Sequence, residues 1–319
     1  MRAAGTGSGF VPSAGRQRLL NTHNYLLHPQ NMNGETPLVL KELDLLTVAC
    51  DGAIARVSLA RPSKRNAISD ALIAQLHTCF INLPQSVRVV VLDGEGEHFC
   101  AGLDLAELAE HDIAGGIAHS RSWHAAFDAI QSGRVPVVAV LRGAVIGGGL
   151  ELASAAHIRI AEDSAFYALP EGQRGLFVGG GGSVRIPRLV GVAMMTDMML
   201  TGRVLDADEG QQAGISSYRV AAGQGLPRAM ELARKIAGNA PLSNFAVLQA
   251  LPRIAGLSRD DGQFVESLVA AVAQSDPAAK SRMRDFLAGK VGKVGKVGNV
   301  ETVGKGDASP GRGRPKAGA

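Results

Sequence analysis

Cysteine is scarce in this chain: Cys50, Cys79 and Cys100 are the three in 319 residues. Their odd number and wide spacing give neither a disulfide framework nor a zinc pattern, so a reducing, cytoplasmic setting is expected. Long apolar runs are missing too, and none approaches the ~20 residues that cross a bilayer as a helix, so no membrane partner is expected. The histidines at 98, 111, 119 and 124 lack the HExxH spacing of a metal site, and no metal is expected. No Gly-Lys-Ser/Thr loop is present and no GxGxxG opens a βαβ unit, which argues against nucleotide-phosphate and dinucleotide sites.

A hydrophobic fraction of 46% is that of a globular protein with a real core, and the length allows one large domain or two ordinary ones. The sequence pI near 9.1 suggests nucleic acid until the charge is located. Residues 1–35 carry a net +2 and residues 290–319 a net +5, leaving 23 basic against 26 acidic residues between them. The basicity therefore belongs to the ends. The Arg-Gly-Arg-Pro within PGRGRPK (310–316) resembles the core of an AT-hook, but one copy in a low-complexity tail is weak, and no nucleic-acid partner is expected.

The first 35 residues, rich in Gly, Ser, Asn and Arg, read as a disordered extension without the apolar core of a secretory signal. LLTVAC and AIARVSL flank Asp51-Gly52, a two-residue hairpin signal. Residues 66–83 read as a helix capped by Ser69 or Asp70. Three buried strands are expected at 87–94, 135–143 and 157–163, with helical patterns from 192 onward.

Within this frame GAVIGGGLELA (143–153) sets three glycines before a lone carboxylate, Glu151. Tight packing would explain such a run. A helix N-terminus with unpaired N–H groups would equally suit a developing oxyanion, and glycine lets a carbonyl approach the backbone. A second glycine turn lies in HFCAGLDLAEL (98–108), where Asp104 also reads as a helix cap. YALPEGQRGLFVGGGGS (167–183) places Glu171 before four glycines, 20 positions after Glu151. Two carboxylates facing one water beside a polarised carbonyl are what adding water to a C=C bond requires.

RPSKRNAIS, HFCAGLDL, GAVIGGGLELA and YALPEG…GGGGS…RLVG together, in this order and spacing, resemble the enoyl-CoA hydratase/isomerase (crotonase) superfamily over about residues 45–288. The resemblance implies an α/β fold, a spiral of ββα turns over residues 36–200, followed by a helical trimerisation region over 201–288; residues 289–319 read from their composition as a low-complexity basic tail. It implies an acyl-CoA thioester substrate, no cofactor beyond the CoA carried by that substrate, and a homotrimer or hexamer. Carried onto this chain, the oxyanion donors fall on the N–H groups of Leu103 and Gly148. The hydratase glutamates fall on Glu151, which activates water, and Glu171, which exchanges a proton at the α-carbon. Gly179 matches the glycine that also holds the water, and CoA contacts fall on Lys64, Arg65, Ala67, Ala101 and Asp104. Trp123 and Phe127 read as packing residues that could line an acyl tunnel, and Tyr167 as one that could face an aromatic acyl group. Enoyl-CoA hydration is the expected activity. The alternatives are an isomerase, another acyl-CoA enzyme of the superfamily including an aryl-enoyl-CoA hydratase, or a non-catalytic member with a nucleic-acid-binding tail.

Overall fold

A short helix, α1 (Leu38–Lys41), leads into two strands, β1 (Leu46–Asp51) and β2 (Ile54–Leu59), which pair antiparallel with Asp51 opposite Ile54. The turn therefore centres on Gly52-Ala53, one residue later than the expected Asp51-Gly52. Gly52 takes φ +56°, and placing glycine at the first central position matches the twist of the strands without a Cβ clash. The structure, a computed structural model, describes residues 37–107 and 112–289. The N-terminal extension, His111 and the basic tail with its Arg-Gly-Arg-Pro lie outside the described residues.

Helix α2 (Asp70–Ile81) begins later than the expected 66, with the Ser69 hydroxyl accepting from the Leu72 N–H at 3.2 Å. The delay has a local cause. Arg65 and Asn66 both adopt left-handed φ, +51° and +55°, and Ile68 then runs beside residues 102–104, so the chain cannot enter a helix before Ser69. The succeeding elements are β3 (Val89–Gly94), α3 (Ile113–Gln131), β4 (Val137–Leu141), β5 (Ala144–Ile146), α4 (Gly148–Ala155), β6 (Ile158–Glu162) and β7 (Phe166–Ala168). After them come α5 (Gly182–Thr201), α6 (Ala207–Ala213), β8 (Tyr218–Val220), α7 (Gly225–Ala237), α8 (Pro241–Gln249), α9 (Leu251–Ile254), α10 (Arg259–Ser275) and α11 (Pro277–Leu287). The three-residue β5, β7 and β8 carry too little pattern to be seen in sequence.

The larger sheet has the order β1-β2-β3-β4-β6-β8, with every pair after the first hairpin parallel, and β5 pairs β7 in a second, parallel sheet. Thus β4, β5 and α4 make one ββα turn, and β6, β7 and α5 the next. The expected spiral of ββα turns followed by helices is the architecture observed. The central strands β3 and β4 are buried on both faces, and their alternation sorts side chains into two cores. Val90, Leu92, Val137, Ala139 and Leu141 join the main core with α2, α3 and α4. Val89, Val91, Val138 and Val140 meet Ala229, Leu232 and Ala233 of α7. The small sheet sits at the edge of the main core, and there the glycine turns converge.

Candidate active site

Three extended segments lie side by side. Cys100 bridges Val145 in parallel, its N–H donating to the Ala144 carbonyl at 2.9 Å while Ile146 N–H donates to the Cys100 carbonyl at 3.1 Å. On the other side Ile146 pairs with Ala168, and Gly147 N–H donates to the Ala168 carbonyl at 2.9 Å. Each segment leaves this register by a turn, so the turns at 101–104, 147–149 and 169–171 meet.

Glycine is required where they meet. Gly147 has φ +52° and ψ −122°, a conformation closed to L side chains in practice. A Cβ there would lie 2.6 Å from the Glu171 Oε1, and one on Gly102 would lie 2.7 Å from the Ile146 carbonyl oxygen and 3.5 Å from the Gly148 nitrogen. On Gly149 a Cβ would come within 2.4 Å of the Cys100 carbonyl. The packing and oxyanion readings of the glycine run are therefore both served by one arrangement.

Gly148 is the first residue of α4, where an N–H has no intrahelical partner. At the neighbouring turn Ile68 N–H donates to the Gly102 carbonyl at 2.7 Å and Asp104 N–H to the Ile68 carbonyl at 2.9 Å. Leu103 N–H therefore faces the other way. Neither the Leu103 nor the Gly148 N–H has an acceptor among the described residues. Both residues line a cavity of about 160 Å³ that also exposes Glu151 and Glu171.

The two carboxylates have different surroundings. Glu151, on the first turn of α4, is 3% exposed. Its Oε1 accepts from Gly180 N–H and Gly182 N–H, each at 2.8 Å. Burial pushes its pKa up, while those N–H groups, the buried Arg185 and the Gly179 N–H pull it down. Gly179, expected to hold the water, sits against the same carboxylate, while Gly180 and Gly182 make the short bonds. Glu171, half-buried, has an Oε2 without a partner among the described residues. Burial pushes its pKa up and the charge of Glu151 pushes it further; its own N–H and Arg174 act the other way.

Ala101 lines the cavity with them, whereas Lys64, Arg65, Ala67 and Asp104 are not part of its wall. Lys64 and Arg65 are exposed on the turn behind Ala101, whose N–H donates to the Arg65 carbonyl at 3.0 Å. Ala67 is buried and its carbonyl accepts from Arg61. Asp104, 6% exposed, pairs with Arg61 at 2.9 Å and accepts from Ala106 N–H at 3.3 Å. Its carboxylate steadies the turn at Leu105–Glu107, a short 3₁₀ helix rather than the α-helix anticipated.

Residue-type motifs did not reveal the supports. Arg185, 6% exposed, donates to the Gly180 carbonyl and to Ser154 Oγ, while Ser120 Oγ donates to the Gly179 carbonyl at 2.6 Å. Arg185 lies four residues after Gly181, and only that spacing to the glycine cluster hinted at it. Leu176 and Phe177 also line the cavity, as do Trp123 and His119. His98 is structural: its Nδ1 accepts from Ala144 N–H at 3.1 Å. No cluster of three or more His, Cys, Asp or Glu among the described residues is arranged to hold a metal ion.

The family profile described as enoyl-CoA hydratase/isomerase matches residues 50–267. The chain belongs to that family. Within this crotonase family it is 36% identical over 220 residues to a carnitinyl-CoA dehydratase of Proteus mirabilis, covering 66% of this chain and 81% of the relative. The crystal structure of a provisionally assigned enoyl-CoA hydratase from Rhodopseudomonas palustris superposes with a TM-score of 0.76 at 57% identity, over 78% of this chain and 96% of that one. Another provisionally assigned enoyl-CoA hydratase, from Thermobifida fusca in complex with acetoacetyl-CoA, gives a TM-score of 0.69 at 27% identity, over 76% and 99%. The C-terminal helices of this family member also expose apolar side chains, Phe264 and Leu268 among them, and no helix among its described residues is long and apolar enough to cross a membrane.

Proposed function

We propose that this crotonase-family chain is an enoyl-CoA hydratase, adding water reversibly across a 2-enoyl-CoA to give the 3-hydroxyacyl-CoA. The observation that carries the reading is the placement of Glu151 and Glu171 in one cavity beside the unpaired N–H groups of Leu103 and Gly148. Those N–H groups would hold the thioester oxygen and stabilise the enolate-like charge that builds as C3 is attacked, an effect for which one donor contributes about 3 kcal/mol of barrier.

The environments divide the labour between the carboxylates. Burial raises the pKa of both carboxylates, but only around Glu151 do several N–H groups and Arg185 offset it by favouring the ionised form, so Glu151 acts as the base that takes a proton from water. Glu171 has a buried oxygen with no partner and an anionic neighbour, both favouring the protonated form, and delivers its proton to C2. The oxygen of water bonds to C3, the C2=C3 π electrons take up the proton, and net transfer leaves Glu151 protonated and Glu171 ionised until solvent resets them. The acetoacetyl-CoA complex of the Thermobifida fusca relative supports an acyl-CoA substrate. Exposed Lys64 and Arg65 would meet CoA phosphates, with the backbone near Ala67 and Ala101 alongside the pantetheine arm. Asp104 would act through Arg61 rather than touch CoA.

The test is loss of conjugated thioester absorbance over a panel of 2-enoyl-CoA esters. Glu151→Gln and Glu171→Gln are each expected to fold normally and to lower the hydration rate by about 10²–10⁴-fold. Near wild-type rates in both variants would sink the two-carboxylate mechanism.

A further inference from the structure

Trp123 is the large aromatic side chain on the inner wall of the site. It lies on α3, is 4% exposed, and forms part of the cavity wall. Its ring is clamped along the helix, edge-on to Phe127 at 5.7 Å between centroids and tilted against His119 at 5.8 Å. Across the cavity the six-membered part of the indole rests on two glycines. A methyl group on Gly148 would come within 2.8 Å of it, and one on Gly180 within 3.0 Å of it and 2.8 Å of Phe127. Between those helix neighbours and that backbone the indole has no room to swing aside.

The two glycines are the ones that matter to the proposed reaction. Gly148 supplies a carbonyl-binding N–H, and Gly180 supplies an N–H that holds Glu151. Resting on the hydratase reading, C1 of the substrate sits at Gly148 and C3 faces the water on Glu151. Trp123 lies against both glycines and so walls the space next to these points.

We propose that Trp123 limits the acyl chain, so that the site takes short 2-enoyl thioesters. The cavity is about 160 Å³, and the Trp123 ring forms its wall beside Gly148 and Gly180. The thioester carbonyl, C2, C3 and the attacking water occupy the space between Gly148 and Glu151, and the indole stands beyond it, so short acyl groups fit and long ones meet the ring. A longer chain would have to displace the indole or leave past Phe177, which is 70% exposed, into water and gain nothing from burial. Aryl acyl groups such as cinnamoyl meet the same obstacle, since their ring begins at C4.

The experiment measures kcat/KM for hydration of straight 2-enoyl-CoA esters of four, six, eight and ten carbons, and of cinnamoyl-CoA, with wild type, Trp123→Phe and Trp123→Ala. Wild type is expected to lose about tenfold or more between six and ten carbons. Trp123→Ala should raise the ten-to-four-carbon ratio by about tenfold or more, with Trp123→Phe between the two. A flat or rising wild-type profile overturns the inference, as does an alanine variant whose ratio is unchanged. Should Trp123→Ala fail to fold, the wild-type and Trp123→Phe profiles still decide. Hydration with the wrong length profile removes this inference alone, whereas no hydration of any ester removes the hydratase reading and this inference with it.

Discussion

Glu171 carries a cost that the rest of the site does not relieve. Burial and the Glu151 charge raise its pKa in the folded protein, above the value near 4.3 of an unfolded chain. A raised carboxyl favours folding fully below the unfolded pKa and loses that contribution as pH climbs through the folded one. At neutral pH, well above the unfolded pKa, the raised carboxyl therefore costs the native state stability that it does not cost near that pKa. Glu171→Gln, which keeps the shape without the charge, should unfold at a higher temperature than wild type at pH 7–8, with the gap closing as pH falls toward the unfolded pKa near 4.3. Calorimetry across that range reads this directly; equal or lower stability of the variant at neutral pH would contradict the stated cause of the shift. The sequence offered this residue as a candidate, since a carboxylate after Pro170 and before a glycine cluster is visible as pattern. Its missing partner is not, because that depends on what other elements fail to bring near.

At the scale of elements, the site depends on three short stretches held in register, and Asn66 anchors one edge. It is fully buried with φ +55°. Its Oδ1 accepts from Arg61 N–H at 3.0 Å, and its Nδ2 donates to the carbonyls of Glu95 at 2.9 Å and His98 at 2.8 Å. The side chain thereby ties the left-handed turn before α2 to the chain entering Phe99 and Cys100, and so to the Leu103 turn. Asn66→Ala strands a donor and two carbonyls, and a loss of about 2–3 kcal/mol is expected in urea unfolding. A change under about 0.5 kcal/mol, the size of an ordinary surface substitution, would mean that the turn is held by other bonds. Local pattern anticipated the helix here but began it at 66, because periodicity cannot register a backbone diverted to a neighbouring strand.

Over the whole molecule, apolar surface gathers on the C-terminal helices. Phe264, Leu268 and Val272 recur every fourth residue along α10 and are 65%, 53% and 57% exposed, and Phe245 of α8 and Phe286 of α11 are 52% and 51% exposed. A stripe of this kind is characteristic of a face that a partner covers. Self-association to the trimer or hexamer implied by the family resemblance is expected, and Phe264→Glu combined with Leu268→Glu should shift the mass seen by light scattering toward the monomer. A wild-type protein already monomeric at micromolar concentration would remove the expectation.

Much of this was open to reading in one dimension. The β-branched runs of β3 and β4, the hairpin glycine, and the spacing of Glu151 and Glu171 relative to two glycine turns are local features, and local sterics and period write them directly into residue order. Other features arise only when distant segments are brought together. These include the pairing of β5 with β7 that folds Glu171 over Gly147, the choice of Gly180 and Gly182 over Gly179 as the nearer donors to Glu151, Arg185 behind them, and Trp123 against two glycine backbones. Apart from Arg185 and the Gly180 carbonyl, five residues from each other, these are contacts between groups tens of residues apart, and only packing in three dimensions sets which of them meet.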